Sequence, residues 1–437
     1  MFATLKNAFK IKEIRNKILF TFAMLVVIRI GSQLPTPGVS GEYFRNWFSA
    51  QAEGAFGFFD AITGGSFINM SILALGITPY ITSSIIMQLL TIAIPKLEEM
   101  QRDGEDGRKK IAAITRYVTV VLALIQSTAM SIGFGRQGYL TNYNALSVIT
   151  AVATLTAGSA FLMWVGERIT ENGIGNGISI VLVINIISRL PEDLSNLFEQ
   201  FVFGKAPATA VLAAVIIFAV IIGMVVLVII LNDGVRKIPV QYANKVQGRK
   251  MVGGQTSNIP LKVNTSGVIP VIFAQSLFQT PIIISSFAGY RGTGVWSEIL
   301  KYMNSSYWCN PSQIKYTAGL LVYMVLIIFF AYFYTSITFN PLMIADNMKK
   351  QGGFIPGIRP GKPTSDYLNN VLNYIVFIGA VGLTIIAVIP YIFSGVFKAS
   401  VSFGGTSLII IVSVVLETMK QVESQMLVRN YKGFLEK

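Results

Sequence analysis

A chain of 437 residues that is 53% apolar and 13% charged has about half the charge density of a soluble domain, so most of its length is built for lipid. It has no histidine and one cysteine, Cys309, which excludes imidazole catalysis, thiolate or imidazole metal sites and internal disulfides. The 35 Lys+Arg against 21 Asp+Glu leave +14, an excess that suits cytoplasmic loops facing anionic headgroups or an acidic partner.

A hydrocarbon core ~30 Å thick needs about 20 mostly apolar residues in a helix. Ten stretches qualify in chain order: 18–34, 67–94, 117–134, 146–165, 176–190, 209–231, 267–288, 316–337, 370–392 and 405–425. The basic start leads into the first span with no small-residue cleavage site, so no cleaved signal peptide is expected. With the N-terminus inside, the inner segments hold 26 Lys+Arg and the outer segments 8, and Arg29 lies within the first span. That asymmetry is the positive-inside signal, and it puts both termini in the cytoplasm. Ten spans divide five and five about the outer loop at 190–208, predicting halves at 1–200 and 201–437. Five spans per half would make repeated halves opposite in membrane direction.

Some features do not suit a lipid-facing helix. Residues 54–66 form a short aromatic segment closed by Gly64-Gly65, too short to cross and too apolar for a water-exposed loop. It is either a short helix tucked into the protein or an interfacial aromatic anchor. The second span is longer than one crossing needs, and Gly76 and Pro79 predict a break near 76–79. The long inner loops at 232–264 and 338–369 are basic and hold Gly253-Gly254 and Gly352-Gly353 turns. They read as solvated, lipid-facing loops or as a docking surface for an acidic or nucleic-acid partner. Acids are scarce within the spans, so there is no proton relay of the kind a pump uses. Arg29, near the outer end of its span, is expected to snorkel. No phosphate-binding G-x-x-x-x-G-K-[ST] loop is present, so the chain is not expected to be its own ATPase.

Seven motifs then fall in order along the spans. They are Arg29-Ile-Gly-Ser-Gln-Leu-Pro-Thr-Pro-Gly38, Thr63-Gly-Gly-Ser66 with Ala74-Leu-Gly-Ile-Thr-Pro-Tyr-Ile-Thr-Ser-Ser-Ile85, and Gly166-Glu-Arg-Ile-Thr-Glu-Asn-Gly-Ile-Gly-Asn-Gly-Ile-Ser179. Arg236-Lys-Ile-Pro-Val-Gln-Tyr242, Gly267-Val-Ile-Pro-Val-Ile-Phe-Ala274, Pro356-Gly-Ile-Arg-Pro-Gly361 and Phe403-Gly-Gly-Thr-Ser407 complete them. In these the chain resembles the SecY family, central subunits of the bacterial protein-conducting channel, from about residue 10 to 433.

The resemblance implies an all-α integral membrane protein of ten transmembrane helices, in two pseudo-symmetric inverted five-helix halves around an hourglass pore. It implies a channel that passes unfolded secretory polypeptides and releases membrane helices sideways through a lateral gate. The implied partners are SecE and SecG subunits, the SecA ATPase, the ribosome, signal sequences and nascent polypeptides, and anionic lipids, with no DNA. The implied location is the bacterial inner membrane, and no catalytic residue, metal or cofactor is implied.

Matched position by position, the pore ring falls on Ile81, Ile85, Leu182, Ile186, Ile272 and Ile410. The plug falls on about 57–67, with Gly57, Phe58, Phe59, Asp60, Ala61, Ile62, Thr63, Gly64 and Gly65. Its glycines read as flexible joints, so weak retention is expected. Gate-facing candidates are Thr82, Ser83, Gln126, Gln275 and Ser276. Docking candidates are Arg236, Lys237, Arg249, Lys250 and Arg359. An aliphatic collar gates by dewetting and offers a passing chain no charge or hydrogen bond to stall on. The rival classes are a secondary transporter, which needs coordinating groups at mid-membrane, and a membrane enzyme, which needs clustered acids or histidine; the sequence supplies little for either.

Overall fold

The computed structural model describes residues 8–42, 44–46, 55–136, 138–203, 205, 207–242, 245–247, 250–252, 256–287, 294–397 and 405–435. The chain is mostly helical. In order come α1 (Lys12–Gly31), α2 (Ala55–Thr63), α3 (Thr78–Ala93), α4 (Pro95–Arg102), α5 (Glu105–Arg136), α6 (Ala145–Asn172), α7 (Gly177–Phe201) and α8 (Pro207–Asp233). Strands β1 (Val235–Tyr242), β2 (Lys245–Gln247), β3 (Lys250–Val252) and β4 (Thr256–Lys262) follow. The rest is α9 (Ile269–Phe287), α10 (Val295–Met303), α11 (Thr317–Thr338), α12 (Pro341–Lys350), β5 (Gly353–Phe354), α13 (Lys362–Phe397) and α14 (Gly405–Leu435).

Every one of the ten expected spans overlaps a helix. Among the described residues, five helical stretches are individually long and apolar enough to cross a membrane, and the bent pair α3–α4 makes a sixth. The others fall short by charge or length: α1 begins in Lys12, Arg15 and Lys17, and α9 is short. Several helices run past their expected ends. Helix α7 continues through Pro191 to Phe201, so much of the segment expected as the outer loop at 190–208 is helical.

The second span breaks where the glycine and proline predict. Helix α3 starts at Thr78 with Pro79 in its first turn, where the missing N–H leaves no bond unmade. The outer piece, residues 64–77, is a run of turns instead of helix. Gly76 sits at φ +60, and a Cβ there would lie 2.9 Å from the Thr63 side chain. At the inner end the chain bends by 107° between α3 and α4, at Ile94-Pro95.

The expected inner loops carry two small sheets that the helical reading did not include. Strands β4, β1 and β5 form one antiparallel sheet, and β2 pairs with β3. In β1, Ile238 and Val240 are buried while Lys237, Pro239 and Gln241 face out, the two-residue alternation of a half-buried strand. Pro239 is tolerated because β5 pairs only with Gln241 and Tyr242, leaving that edge open beside the proline. The sheet joins residues 235–262 to 353–354, and a cluster of Ile238, Val240, Leu261, Met348, Ile355 and Leu368 packs it onto α12 and α13.

Candidate functional site: an aliphatic cluster against a short buried helix

Helix α7 begins with Asn176, whose side chain accepts the N–H groups of Ile178 and Ser179 at 3.1 and 3.3 Å. That cap sets the helix phase, so Leu182 and Ile186, four residues apart, share one buried face. They meet Ile410 of α14, Ile81 of α3 and Ile272 of α9 in one cluster. Ile62 of α2 enters the same cluster, with Leu73 and Ile77 from the turns that follow. Four separate helices therefore converge on one aliphatic centre with the short helix packed against it. Ile85 is half-buried like Ile81 and lies one turn further along α3, outside this packed cluster. Ile77 was not foreseen, since only the turn at 64–77 brings it alongside Ile81.

Helix α2 packs against α7 and α9 with residues 60–63 buried, which favours the tucked-in helix over the interfacial anchor. Gly57, Phe58, Phe59, Asp60, Ala61, Ile62 and Thr63 lie on it, and Gly64 and Gly65 turn the chain out at φ +67 and +82. Asp60 through Gly65 are all buried. Phe59 stacks edge-on to Phe67 at 4.9 Å, and Phe67 meets Phe44 at 5.3 Å.

The helix and the turn after it also make polar contacts that its glycines do not announce. Asp60 Oδ2 lies 3.0 Å from the Arg189 guanidinium of α7, and Asp60 Oδ1 accepts the Ile68 N–H at 2.9 Å. The ion pair is a charge contact off the hydrogen-bonding line, since Oδ2 itself accepts no hydrogen bond. Arg29 does not snorkel. It turns inward and donates to the Gly64 carbonyl at 3.3 Å and to Asn185 Oδ1 at 3.5 Å. The sequence signal for both was available: an arginine at the outer end of each of two spans and one acid in the short segment.

The gate candidates separate. Ser83 is fully buried and bonded to α5, with its hydroxyl 2.5 Å from Thr119 Oγ1 and donating to the Thr115 carbonyl at 3.3 Å. Gln275 is also buried and accepts the Tyr391 hydroxyl of α13 at 2.8 Å. Each thus has a hydrogen-bond partner on a neighbouring helix, Ser83 on α5 and Gln275 on α13. Thr82 donates to Thr78 of its own helix, Gln126 is half-buried and Ser276 is exposed. A bond not anticipated links α3 to α11: the Tyr334 hydroxyl donates to Gln88 Oε1.

On the sheet side, Arg236, Lys237 and Arg359 are exposed. Lys250 lies in β3 opposite Gln247, and Arg249 lies outside the described residues. Arg359 sits between Gly357 and Gly361 at φ +83 and +104, with its carbonyl accepting the Thr364 hydroxyl at 2.8 Å. The β1–β5 pairing joins the segment that carries Arg236 and Lys237 to the one that leads into Arg359.

On the opposite side, Glu298 of α10 bonds Lys301 at 3.1 Å, the Tyr316 hydroxyl at 2.9 Å and Lys315 at 3.2 Å. These partners, Lys301 first, pull the Glu298 carboxyl down to about 2. Burial pushes the Cys309 thiol up. No group of three or more acids or thiols suited to a metal ion occurs among the described residues.

The SecY family model matches residues 71–419. The protein translocase subunit SecY of Bacillus licheniformis is 42% identical, with the whole of both chains covered. A solved SecY channel, described as having a plug domain that stabilises the closed state and maintains a membrane seal, superposes with a TM-score of 0.61 at 19% identity, covering 94% of this chain and 92% of that one. The Sec61 channel of a canine ribosome–channel complex superposes at 0.63, also at 19% identity, with the same coverage.

Proposed function

This chain belongs to the SecY family, and on that premise we propose how its residues move polypeptides across a membrane. The chain is a channel subunit of a protein translocase; its relatives are translocase subunits by name and its fold is that of protein-conducting channels. Ile81, Leu182, Ile186, Ile272 and Ile410 form the constriction. Helix α2 closes it from one side, and the platform of Arg236, Lys237 and Arg359 receives the driving partner from the other. The observation that carries this reading is the convergence of those five aliphatic residues with Ile62 in one cluster.

The chemistry suits the task. A hydrated ion entering an all-aliphatic ring loses water and gains no replacement ligand. An extended polypeptide of any sequence meets no charge on which to stall. The two halves, 1–200 and 201–437, part along the α3–α9 seam to let a signal helix reach lipid. Such a helix opens the seam only by its differential affinity for the parted state. SecA or the ribosome supplies the drive, and SecE and SecG complete the complex. The exposed arginines suit carboxylate or phosphate partners. The concentration of Lys and Arg in one alternate set of segments supports both termini in the cytoplasm, and the bacterial relatives support an inner-membrane location.

The test is photo-crosslinking of a stalled secretory chain. Probes at Ile81, Leu182, Ile186, Ile272 and Ile410 should each capture it. A chain that crosses while touching none of them overturns the assignment.

A further inference from the structure

Two anchors on the plug helix do more than aliphatic packing requires. The first is the Asp60–Arg189 pair, with Asp60 1% exposed and the Arg189 side chain 14% exposed. The second is the Gly64 carbonyl, which accepts from Arg29 Nη2 at 3.3 Å and lies 3.4 Å from Ser188 Oγ, whose shorter bond goes to the Asn185 carbonyl at 2.7 Å. Gly64 fits so closely that a Cβ would lie 2.8 Å from both the Asn185 Cα and Arg29 Nη1, on backbone at φ +67. Both anchors come from α1 and α7 alone, and α7 is the helix that carries Leu182 and Ile186 of the collar.

Arg189 also holds a second carboxylate. Its Nη1 lies 2.7 Å from Glu192 Oε2, on a side chain that is 61% exposed. If Asp60 leaves, Arg189 keeps a counter-ion, and Asp60 gains water in the vestibule. Neither charge is then left buried and unpaired, so the cost of stranding a buried charge does not arise. Purely aliphatic retention would have no such second resting place.

We propose that Asp60, Arg189, Arg29 and Gly64 form a latch that keeps the plug seated on the first and fifth spans, with Arg189 setting how strong a signal must be to open the channel. The inference rests on the channel reading and deepens it. The plug rides with α1 and α7 when the seam parts, and leaves the collar only when Asp60 is released to water and Arg189 falls back on Glu192.

The experiment uses the full complex with its companion subunits in proteoliposomes, in a Cys309→Ser background carrying Thr63→Cys as a reporter. Thr63 is 1% exposed, so a membrane-impermeant maleimide reaches it only when the plug lifts. Asp60→Asn is close to isosteric and leaves Arg189 paired to Glu192. It should raise the labelling rate at least about tenfold, raise resting ion conductance and allow export of substrates with defective signals. Gly64→Ala strikes the other anchor and should raise labelling in the same way, which covers the case in which Asp60→Asn assembles poorly. Labelling at the parental rate in both variants overturns the latch. Failure of the parental complex to move any secretory chain would instead overturn the channel reading, whatever the labelling shows.

Discussion

Tyr391 gives its hydroxyl proton to Gln275 at 2.8 Å, and that bond draws Gln275 into the packing of α9 against α13. Trp308 and Tyr323 close around the same tyrosine at centroid distances of 5.1 and 5.8 Å. Leaving one partner of a buried pair unsatisfied costs about 1–3 kcal/mol, whereas removing both is close to neutral. Gln275→Leu should therefore lower the melting temperature of the purified complex, and adding Tyr391→Phe should recover most of the loss. Parental melting in the single variant, joined to altered export of defective signals, would return Gln275 to the gate.

The link from Tyr334 on α11 to Gln88 on α3 crosses from the C-terminal to the N-terminal part of the chain. One neutral hydrogen bond contributes about 1 kcal/mol net, a factor of about five in an opening equilibrium. Tyr334→Phe should raise export of weak-signal substrates by about that factor, with strong-signal export unchanged. Equal export of weak signals by parent and variant would show that the bond does not hold the seam.

Ile410 is 1% exposed at the centre of the collar. Replacing it by serine gives water a ligand where it had none. Resting ion conductance in planar bilayers should rise about tenfold or more, reflecting the ~1.5–3 kcal/mol that separates buried from hydrated aliphatic side chains. Polypeptide transport should continue, since a single hydroxyl does not stall a chain. An unchanged conductance would place the barrier elsewhere.

Arg359 stands exposed in a turn between Gly357 and Gly361, where its guanidinium is free to meet a partner from solvent. Lysine keeps the charge and loses the two-pronged donor geometry. Loss of one charge-assisted bond, at ~1.5 kcal/mol, predicts a transport rate lower by about tenfold in a SecA-driven assay. Full transport by Arg359→Lys would mean that charge alone suffices.

Glu298 contributes to stability with a definite pH window. Its carboxyl ionises at about 2 in the folded chain, against 4.5 ordinarily, because Lys301, Tyr316 and Lys315 bond the charged form. A lowered carboxyl favours the fold above the ordinary value and loses that contribution as pH falls toward about 2. The side chains are solvent-exposed, so the effect is small and screened by salt. The melting temperature of the parent should exceed that of Glu298→Gln by a constant margin above pH 5, and the margin should shrink on acidification. A margin independent of pH would remove the carboxylate from the outer clasp.

The positions of the spans were legible because lipid imposes a long-range compositional demand on every residue of a crossing helix. The break before Thr78 was legible because proline and glycine act on their own backbone. The candidate ring came through resemblance, and the packing around it could not be read closely: only the course of the chain through 64–77 brings Ile77 into the cluster beside Ile81. Polar residues were the least legible. Ser83, Gln275 and Arg29 each have several neighbours within reach of a flexible side chain, and the nearest unsatisfied partner belongs to another helix.

What the amino-acid sequence determined alone is the solvent of each segment: which stretches are apolar enough for lipid, which are charged enough for water, and which short aromatic run suits neither. Tertiary structure decided the partners. Asp60 and Arg189 lie 129 positions apart, and only the packing of α2 against α7 brings them within 3.0 Å. Hydrophobic burial acts on one residue at a time and is written locally, whereas an ion pair needs two groups and exists only once the fold has placed both.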